Sequence, residues 1–319
     1  MSSNKQLLAQ ATRLVPPLSS KLHKGQAGRV GILGGSKDYT GAPYYACYSA
    51  MKLGADLGHV ICDPSAGAVI KTFSPDLIVH PVLEPSSSEA NIKDHLTNLL
   101  PRLHVLVVGP GLGRDPYMQL SAKVALALCR ENNAFVVLDA DSLWLVGKEP
   151  EVVKGYKRAI LTPNVAEFGR LCEALGVDQK KEGEDAARAL SKALGGVTIL
   201  QKGREDVITN GEEVIKGEEG GGLKRCGGQG DVLSGTVGTF LAWGKGYLDD
   251  GLKGDEERIQ EERVPLIAAW AASSITRYCS RKAFEKKKRA MLTTDLLEEI
   301  GGAYEHFFGN VGNGEESKL

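Results

Sequence analysis

The chain lacks short-spaced metal ligands: its six cysteines form no CxxC pair and its six histidines no HxxxH pair. Cys47, Cys62, Cys129, Cys172, Cys226 and Cys279 are widely scattered, which argues against a zinc cage or disulfide framework and fits a reducing compartment. It also lacks excess charge. At a formal net charge of −1, nothing in the balance recruits nucleic acid or an anionic membrane. No apolar run reaches the ~18–20 residues of a membrane helix. Acid is missing from the first 37 residues, as in a mitochondrial transit peptide. Yet LVPPLSSKLHKGQAGRV leads straight into an apolar strand and leaves little length for a cleaved leader. The expected location is the cytoplasm, with a mitochondrial fraction left open.

What is abundant is glycine, 39 of 319 residues, about 12% where roughly 7% is usual. The glycines cluster (GILGGS, GPGLG, GEEGGG, CGGQG) without a repeat period, so they predict tight backbone turns. With 42% hydrophobic and 25% charged residues, the chain is an ordinary globular one with a sizeable core. The short apolar runs RVGILGG, GHVIC, DLIVH, HVLVVG, AFVVLDA, RAILTPN and GVTILQKG alternate with helical segments such as APYYACYSAMKLGA and PYMQLSAKVALALCREN. Continuous apolar strands alternating with helices predict an α/β fold with a mainly parallel sheet covered on both faces. In VITNGEEVIKG, Asn210-Gly211 between two apolar runs predicts a hairpin. Two long helical stretches are expected from Asp231 to about Trp243 and from Val264 to Ser280. The charged stretch 245–263 between them reads as a solvated insertion.

Ligands of such sheets sit beyond the carboxyl ends of the strands, and the polar clusters of this sequence follow its strands. GILGGSKDYTGAP is equally readable as a plain turn. GPGLGRD holds only a fragment of the dinucleotide-binding glycine pattern. In LTPNVAEFGRL, Asn164 with Glu167 three residues on is a capping box, and the same pair could orient a substrate or hold magnesium-bound water. Lys202 and Gly203 end an apolar strand where a lysine could reach phosphates. RCGGQGDVLSG is the most informative stretch. Gly227, Gly228 and Gly230 precede a helix whose first amides are free, an anion site by geometry and by dipole. The triple glycine predicts close approach of a phosphoryl group, and Asp231 would be the base that takes the proton of an attacking hydroxyl.

The order GILGGS…YTGAP, GPGLGR, LDAD, LTPNxxEF, KG and GGxGD resembles the ribokinase-like superfamily. Within it, HKGQAGRVGILGGSKDYTGAPYYA, GPGLGRD, LTPNVAEFGRL and RCGGQGDVLSG are similar to the ATP-dependent (S)-NAD(P)H-hydrate dehydratase family of eukaryotic type. The likeness implies a three-layer α/β/α fold as one domain over 14–308, leaving an N-terminal extension (1–13), while the end, GNVGNGEESKL, itself reads as a disordered tail (309–319). It implies ATP-dependent dehydration of hydrated NADH and NADPH (NADHX and NADPHX), with phosphorylation of the new hydroxyl and release of ADP and phosphate. ATP is co-substrate and Mg2+ its companion, with no protein residue assigned as metal ligand; a homo-oligomer is also implied. By resemblance, Asp231 is the general base, in contact with substrate, and Gly228 and Gly230 donate to the phosphoryl group. Gly111 and the run Asn164, Val165, Ala166, Glu167, Phe168, Gly169 and Arg170 lie along the substrate. Lys202, Gly203, Arg204, Glu205 and Asp206 contact ATP, as do Gly221, Gly222, Leu223, Lys224, Arg225, Cys226, Gly227, Gly228, Gln229 and Gly230. Cys226 stands where many bacterial relatives have a small or hydroxyl residue, and is expected to be a packing residue. Two alternatives remain: a kinase of the same fold acting on a hydroxymethylpyrimidine- or thiazole-type alcohol, and a protein that binds intact NAD(P)H.

Overall fold

A computed structural model describes residues 3–20, 23–178, 184–249 and 258–309. Helix α1 (Asn4–Leu14) precedes strand β1 (Arg29–Leu33). Then come α2 (Gly41–Leu53) and β2 (Leu57–Cys62), α3 (Pro64–Phe73) and β3 (Ile78–Pro81), and α4 (Glu89–Leu99) and β4 (Val105–Val108). They are followed by α5 (Pro116–Glu131) and β5 (Phe135–Leu138), then α6 (Asp141–Lys148) and β6 (Ala159–Leu161). Helices α7 (Val165–Ala174) and α8 (Asp185–Ala193) lead to β7 (Thr198–Gln201), then to β8 (Asp206–Thr209) and β9 (Val214–Gly217). The helices α9 (Gln229–Asp249), α10 (Val264–Lys287) and α11 (Thr293–Phe308) close the described chain.

The sheet order is β3-β2-β1-β4-β5-β6-β7-β8-β9, parallel through β7, with β8 and β9 antiparallel. Asn210 and Gly211 lie in the turn of the expected hairpin, whose last paired residues are Thr209 and Val214. Alternate strand residues enter two cores. Val30, Val105, Val107, Phe135 and Val137 face α2, α9 and α10, while Leu33, Leu106, Val108, Val136 and Leu138 face α4, α5, α6 and α7. Burial on both faces is why central strands such as β4 and β5 read as unbroken apolar runs, and it gives the expected α/β/α sandwich; the edge strand β3 is only partly covered. Phe135 is fully buried, and its truncation to alanine would cost about 3–5 kcal/mol. Helix starts carry their local signals. Asp63 and Ser88 cap α3 and α4, prolines open α3 and α5, and Asn164 with Glu167 forms a complete capping box on α7.

Three placements go beyond the sequence reading. Residues Asn4–Leu14 form a helix whose Leu7, Ala11 and Leu14 are buried against α9 and α10. The stretch 245–263 is not wholly solvated: α9 continues to Asp249, and Ile259 is buried with its N–H on the Tyr247 hydroxyl at 3.2 Å. Residues 250–257 of that stretch, and residues 310–319 of the expected tail, lie outside the described residues. Among the described residues no helix is long and apolar enough to cross a membrane.

Three imidazoles are held neutral. Burial, with His80 and Arg102 nearby, lowers His59 to about 4; burial, with Arg29 and Lys245, lowers His104 to about 4. Burial with Arg102 and Lys71 also lowers His80, whose Nε2 is 3.0 Å from His59 Nδ1. The unfolded chain, with histidines near 6.5, therefore takes up these protons before the folded one. Stability is expected to be intact above about pH 6.5 and to fall by on the order of a few kcal/mol as pH drops toward about 4. Thermal melts across that window should show a shallower pH slope in His59→Gln than in the wild type. Equal slopes would refute the assignment.

Candidate active site

The strand order reverses beside β1, which lies between β2 and β4. Loops leave this point toward opposite faces and open a crevice at the carboxyl ends. There the Gly35 N–H donates to the Gly111 carbonyl at 3.0 Å, as does the Ser36 hydroxyl. Gly109 permits the contact of neighbouring strand ends, because a Cβ on it would lie 1.8 Å from the Asp139 carbonyl oxygen.

Further along the same edge, strands β5, β6 and β7 deliver a charged cluster. Asp139, at the end of β5, is buried and accepts from Lys202 Nζ at 2.9 Å. Lys202 follows β7, its N–H tied to the Pro163 carbonyl at 2.8 Å. Glu167, in the first turn of α7, has Oε2 at 4.0 Å from Lys202 Nζ and also accepts from the Asn164 N–H at 2.8 Å. Asp231 lies in the first turn of α9 and completes the cluster. Burial, together with Asp139 and Glu167, pushes its carboxyl well above the usual range, and Lys202 only partly offsets this. Burial also raises Glu167 against the pull of Lys202. For Lys202, burial works against the charge, but Asp139 and Glu167 outweigh it and raise the ammonium. Three carboxylates thus share one lysine. A carboxyl raised in this way takes and holds a proton more readily than a solvated one, as a general base requires.

The glycine loop before α9 divides its labour, which corrects the expectation that all its glycines make room for a ligand. Gly228 has φ +97°, and a Cβ there would lie 2.8 Å from Thr293 Cγ2 and 2.9 Å from Tyr45 Cδ2. It serves the backbone turn and the packing of α2 and α11. Gly227 faces open space within 4 Å, and its carbonyl accepts from the Thr293 hydroxyl. Only Gly230 turns its bare face to the charged cluster, 3.4 Å from Lys202 Nζ and 3.8 Å from Asp139 Oδ2. The Gly228 carbonyl accepts the Val232 N–H, so Gln229, Gly230 and Asp231 supply first-turn amides that α9 leaves free. Gly228→Ala is expected to lose at least about 1–2 kcal/mol to the left-handed backbone alone, whereas Gly227→Ala should stay within about 0.5 kcal/mol. Denaturant melts of both variants check this, and equal losses would contradict it.

A cavity of about 1060 Å³ opens beside this loop. It collects residues 202–206 and 221–223 with Arg225, Cys226, Gln229 and Gly230, and it also takes in Asn164, Val165 and Ala166. Gly227, Gly228 and Lys224 do not line it. Lys224 Nζ is instead held by the Arg289 and Met291 carbonyls at 2.6 Å each. Asp206 is a buried brace: it accepts from Arg277 Nε at 2.9 Å, the Ser273 hydroxyl at 2.7 Å and the Gly203 N–H at 3.0 Å. Cys226 is partly buried, with Sγ 3.4 Å from the Thr293 hydroxyl and 3.3 Å from Gln229 Nε2. Glu167 and Arg170 line a second cavity of about 400 Å³ between α6 and α7. Phe168 is buried and packs in the core. Gly169 and Gly111 line neither cavity.

Asp139 and Arg277 went unassigned in the sequence reading. LDAD carried the signal for the first. Arg277 reaches the Gly203 and Arg204 carbonyls at 2.8 and 2.9 Å from the middle of a helix, and no local pattern marks it.

This arrangement can bind a nucleoside triphosphate in the large cavity, direct free amides at its terminal phosphate, and supply a buried carboxylate to an attacking hydroxyl. Residues 30–301 match the NAD(P)H-hydrate dehydratase family. A protein of Mycosarcoma maydis named ATP-dependent (S)-NAD(P)H-hydrate dehydratase is 52% identical over 317 residues, covering 97% of this chain and 91% of that one. Among solved structures, a ribokinase-like superfamily protein of Enterococcus faecalis superposes with a TM-score of 0.73 at 20% identity, covering 93% of this chain and 94% of that one. The ADP/ATP-dependent NAD(P)H-hydrate dehydratase of Bacillus subtilis, co-crystallised with ATP and Mg2+, superposes with a TM-score of 0.66 at 21% identity, covering 93% of this chain and 96% of that one. These two likenesses show the ribokinase-like fold, and the match to residues 30–301 shows that the chain belongs to the NAD(P)H-hydrate dehydratase family.

Proposed function

We propose that this protein restores hydrated NADH and NADPH to their reduced forms by ATP-dependent dehydration, with Asp231 as the base. Support comes chiefly from one juxtaposition. Asp231, with a carboxyl raised by burial, stands beside Lys202, Asp139 and the free first-turn amides of α9, and its neighbours Lys202 and Gly230 line a nucleotide-sized cavity. Asp231 takes the proton of the hydrate hydroxyl as its oxygen bonds to the γ-phosphorus and the bond to ADP breaks. The amides of Gly230 and its neighbours stabilise the charge that gathers on the transferring group. The ring nitrogen's electron pair then expels phosphate, and loss of a proton from the adjacent carbon restores the double bond. Phosphate leaves far more readily than hydroxide near neutral pH, which is why ATP is consumed.

The donor set bears on magnesium. Among the described residues no three acidic, histidine or cysteine side chains form a metal cage. Magnesium is commonly held by one or two carboxylates together with substrate phosphates and water. Neither of the acids nearest Lys202, Asp139 and Glu167, lines the large cavity, so phosphates and water would carry most of the coordination. Bound there, the ion would neutralise phosphate charge.

The fate of the phosphoryl group tests the proposal. Purified protein with ATP and the hydrate should yield ADP and free inorganic phosphate in equal amounts. Accumulation of a stable phosphorylated alcohol would assign the chain to the kinases of this fold instead.

A further inference from the structure

The second cavity adjoins the charged cluster and shares Glu167 with it. Two segments run directly from one to the other. Asp139, Ala140 and Asp141 leave β5, with Asp139 on Lys202 and the next two residues lining the cavity; Glu167 and Arg170 of α7 do likewise. Ala140 adopts φ +49° and ψ −118°, a sparsely populated backbone state for a residue with a Cβ. This conformation accompanies the division of the two aspartates. Asp139 pairs with Lys202, and Asp141 accepts the Gly113 N–H at 2.9 Å. On the cavity wall stands the half-buried indole of Trp144, with the Arg114 guanidinium 5.7 Å and the Lys148 ammonium 5.8 Å from its ring centre.

An indole with two cations over its ring, beside a phosphoryl-transfer centre, suits a ligand that joins an aromatic base to phosphate. Of the carboxylates here, Asp141 lies 3.6 Å from Arg114, Glu167 is engaged by the α7 cap and lies near Lys202, and Glu173 stands at the rim. On the reading above ATP takes the larger cavity, which Lys202 lines, so the dinucleotide is the occupant left for this one. Resting on the dehydratase reading above, we propose that this cavity binds the adenylate half of the dinucleotide substrate. Its purine stacks on Trp144, and its phosphates meet Arg114, Lys148 and Arg170.

The test compares two substrates: the full hydrated dinucleotide, and the hydrated nicotinamide mononucleotide, which carries the same reacting ring without the adenylate. The wild type should prefer the dinucleotide in kcat/KM by tenfold or more, and Trp144→Ala should reduce that preference by about tenfold. Gly147→Met is an independent variant. A Cβ on Gly147 meets only Ala174 and Leu171, at 3.9 and 4.0 Å, so a side chain there fills the cavity without a clash at its root. It too should raise KM for the dinucleotide and leave KM for ATP near its wild-type value. Equal losses on both substrates, a rise in KM for ATP alone, or no preference in the wild type would each overturn the assignment. No ATP-dependent turnover of either hydrate would instead sink the dehydratase reading itself, so the two failures are distinguishable.

Discussion

Asp231→Asn is expected to cut ATP-dependent turnover of the hydrate by roughly 10²–10⁴, the range that a positioned general base supplies. The amides at the start of α9 belong to the backbone and survive the change, so ATP affinity should stay within about twofold. Stability offers a second readout. Asp231 is buried among Asp139 and Glu167, and its charge is disfavoured there. A neutral isostere relieves that repulsion, so Tm should be unchanged or higher. Lost turnover with a retained or raised Tm is the pattern of a residue kept for chemistry at some cost to the fold. Lost turnover with a lowered Tm would make Asp231 structural, and near-normal turnover would remove it from the mechanism.

Lys202→Met should have the next largest effect, and of a different kind. It strips the cation from Asp139, whose carboxylate is buried, and breaking such a pair costs up to about 3–5 kcal/mol. Lys202 also holds the Asp231 carboxyl lower than burial and its acidic neighbours would leave it. Without Lys202, Asp231 titrates at higher pH, so the acid limb of the kcat/KM profile should move up and turnover should partly recover in alkaline buffer. Asp139→Asn removes a repulsive charge and frees Lys202 for Asp231, so its limb should move to lower pH. Profiles of the two variants measured in parallel check the signs. Shifts in the same direction would show that Asp139 and Lys202 do not govern the base. Asp231→Asn, having no base to ionise, should recover at no pH.

Legibility in the sequence followed contact range. The central parallel strands, β4 and β5 above all, stood out because both faces are covered and no polar residue interrupts them; β2 and the edge strand β3 carry His59 and His80. The hairpin stood out because Asn210 and Gly211 carry the turn chemistry. The capping box of α7 was readable from Asn164 and Glu167 alone. Helix α1 was missed although Leu7, Ala11 and Leu14 make a helical stripe, because what confirms it is packing on α9 and α10, far along the chain. Helix α6 is short, and Ala140 before it violates the local backbone rule. The site divides in the same way. Asp231, Gly230 and Lys202 were visible as residues at the ends of apolar segments. The pairing of Lys202 with Asp139 across 63 positions, and of Arg277 with Asp206 across 71, exists only once the sheet has assembled. The glycines of the α9 loop looked like one device in the sequence. Their surroundings separate a packing glycine, Gly228, from one that faces the chemistry, Gly230.

The most direct measurement follows the near-ultraviolet absorbance of reduced nicotinamide after the protein, ATP and magnesium are added to the S form of hydrated NADH, beside the same mixture without ATP. The account predicts a rise only with ATP, with one ADP formed for each NADH restored. No rise, or an equal rise without ATP, would contradict it.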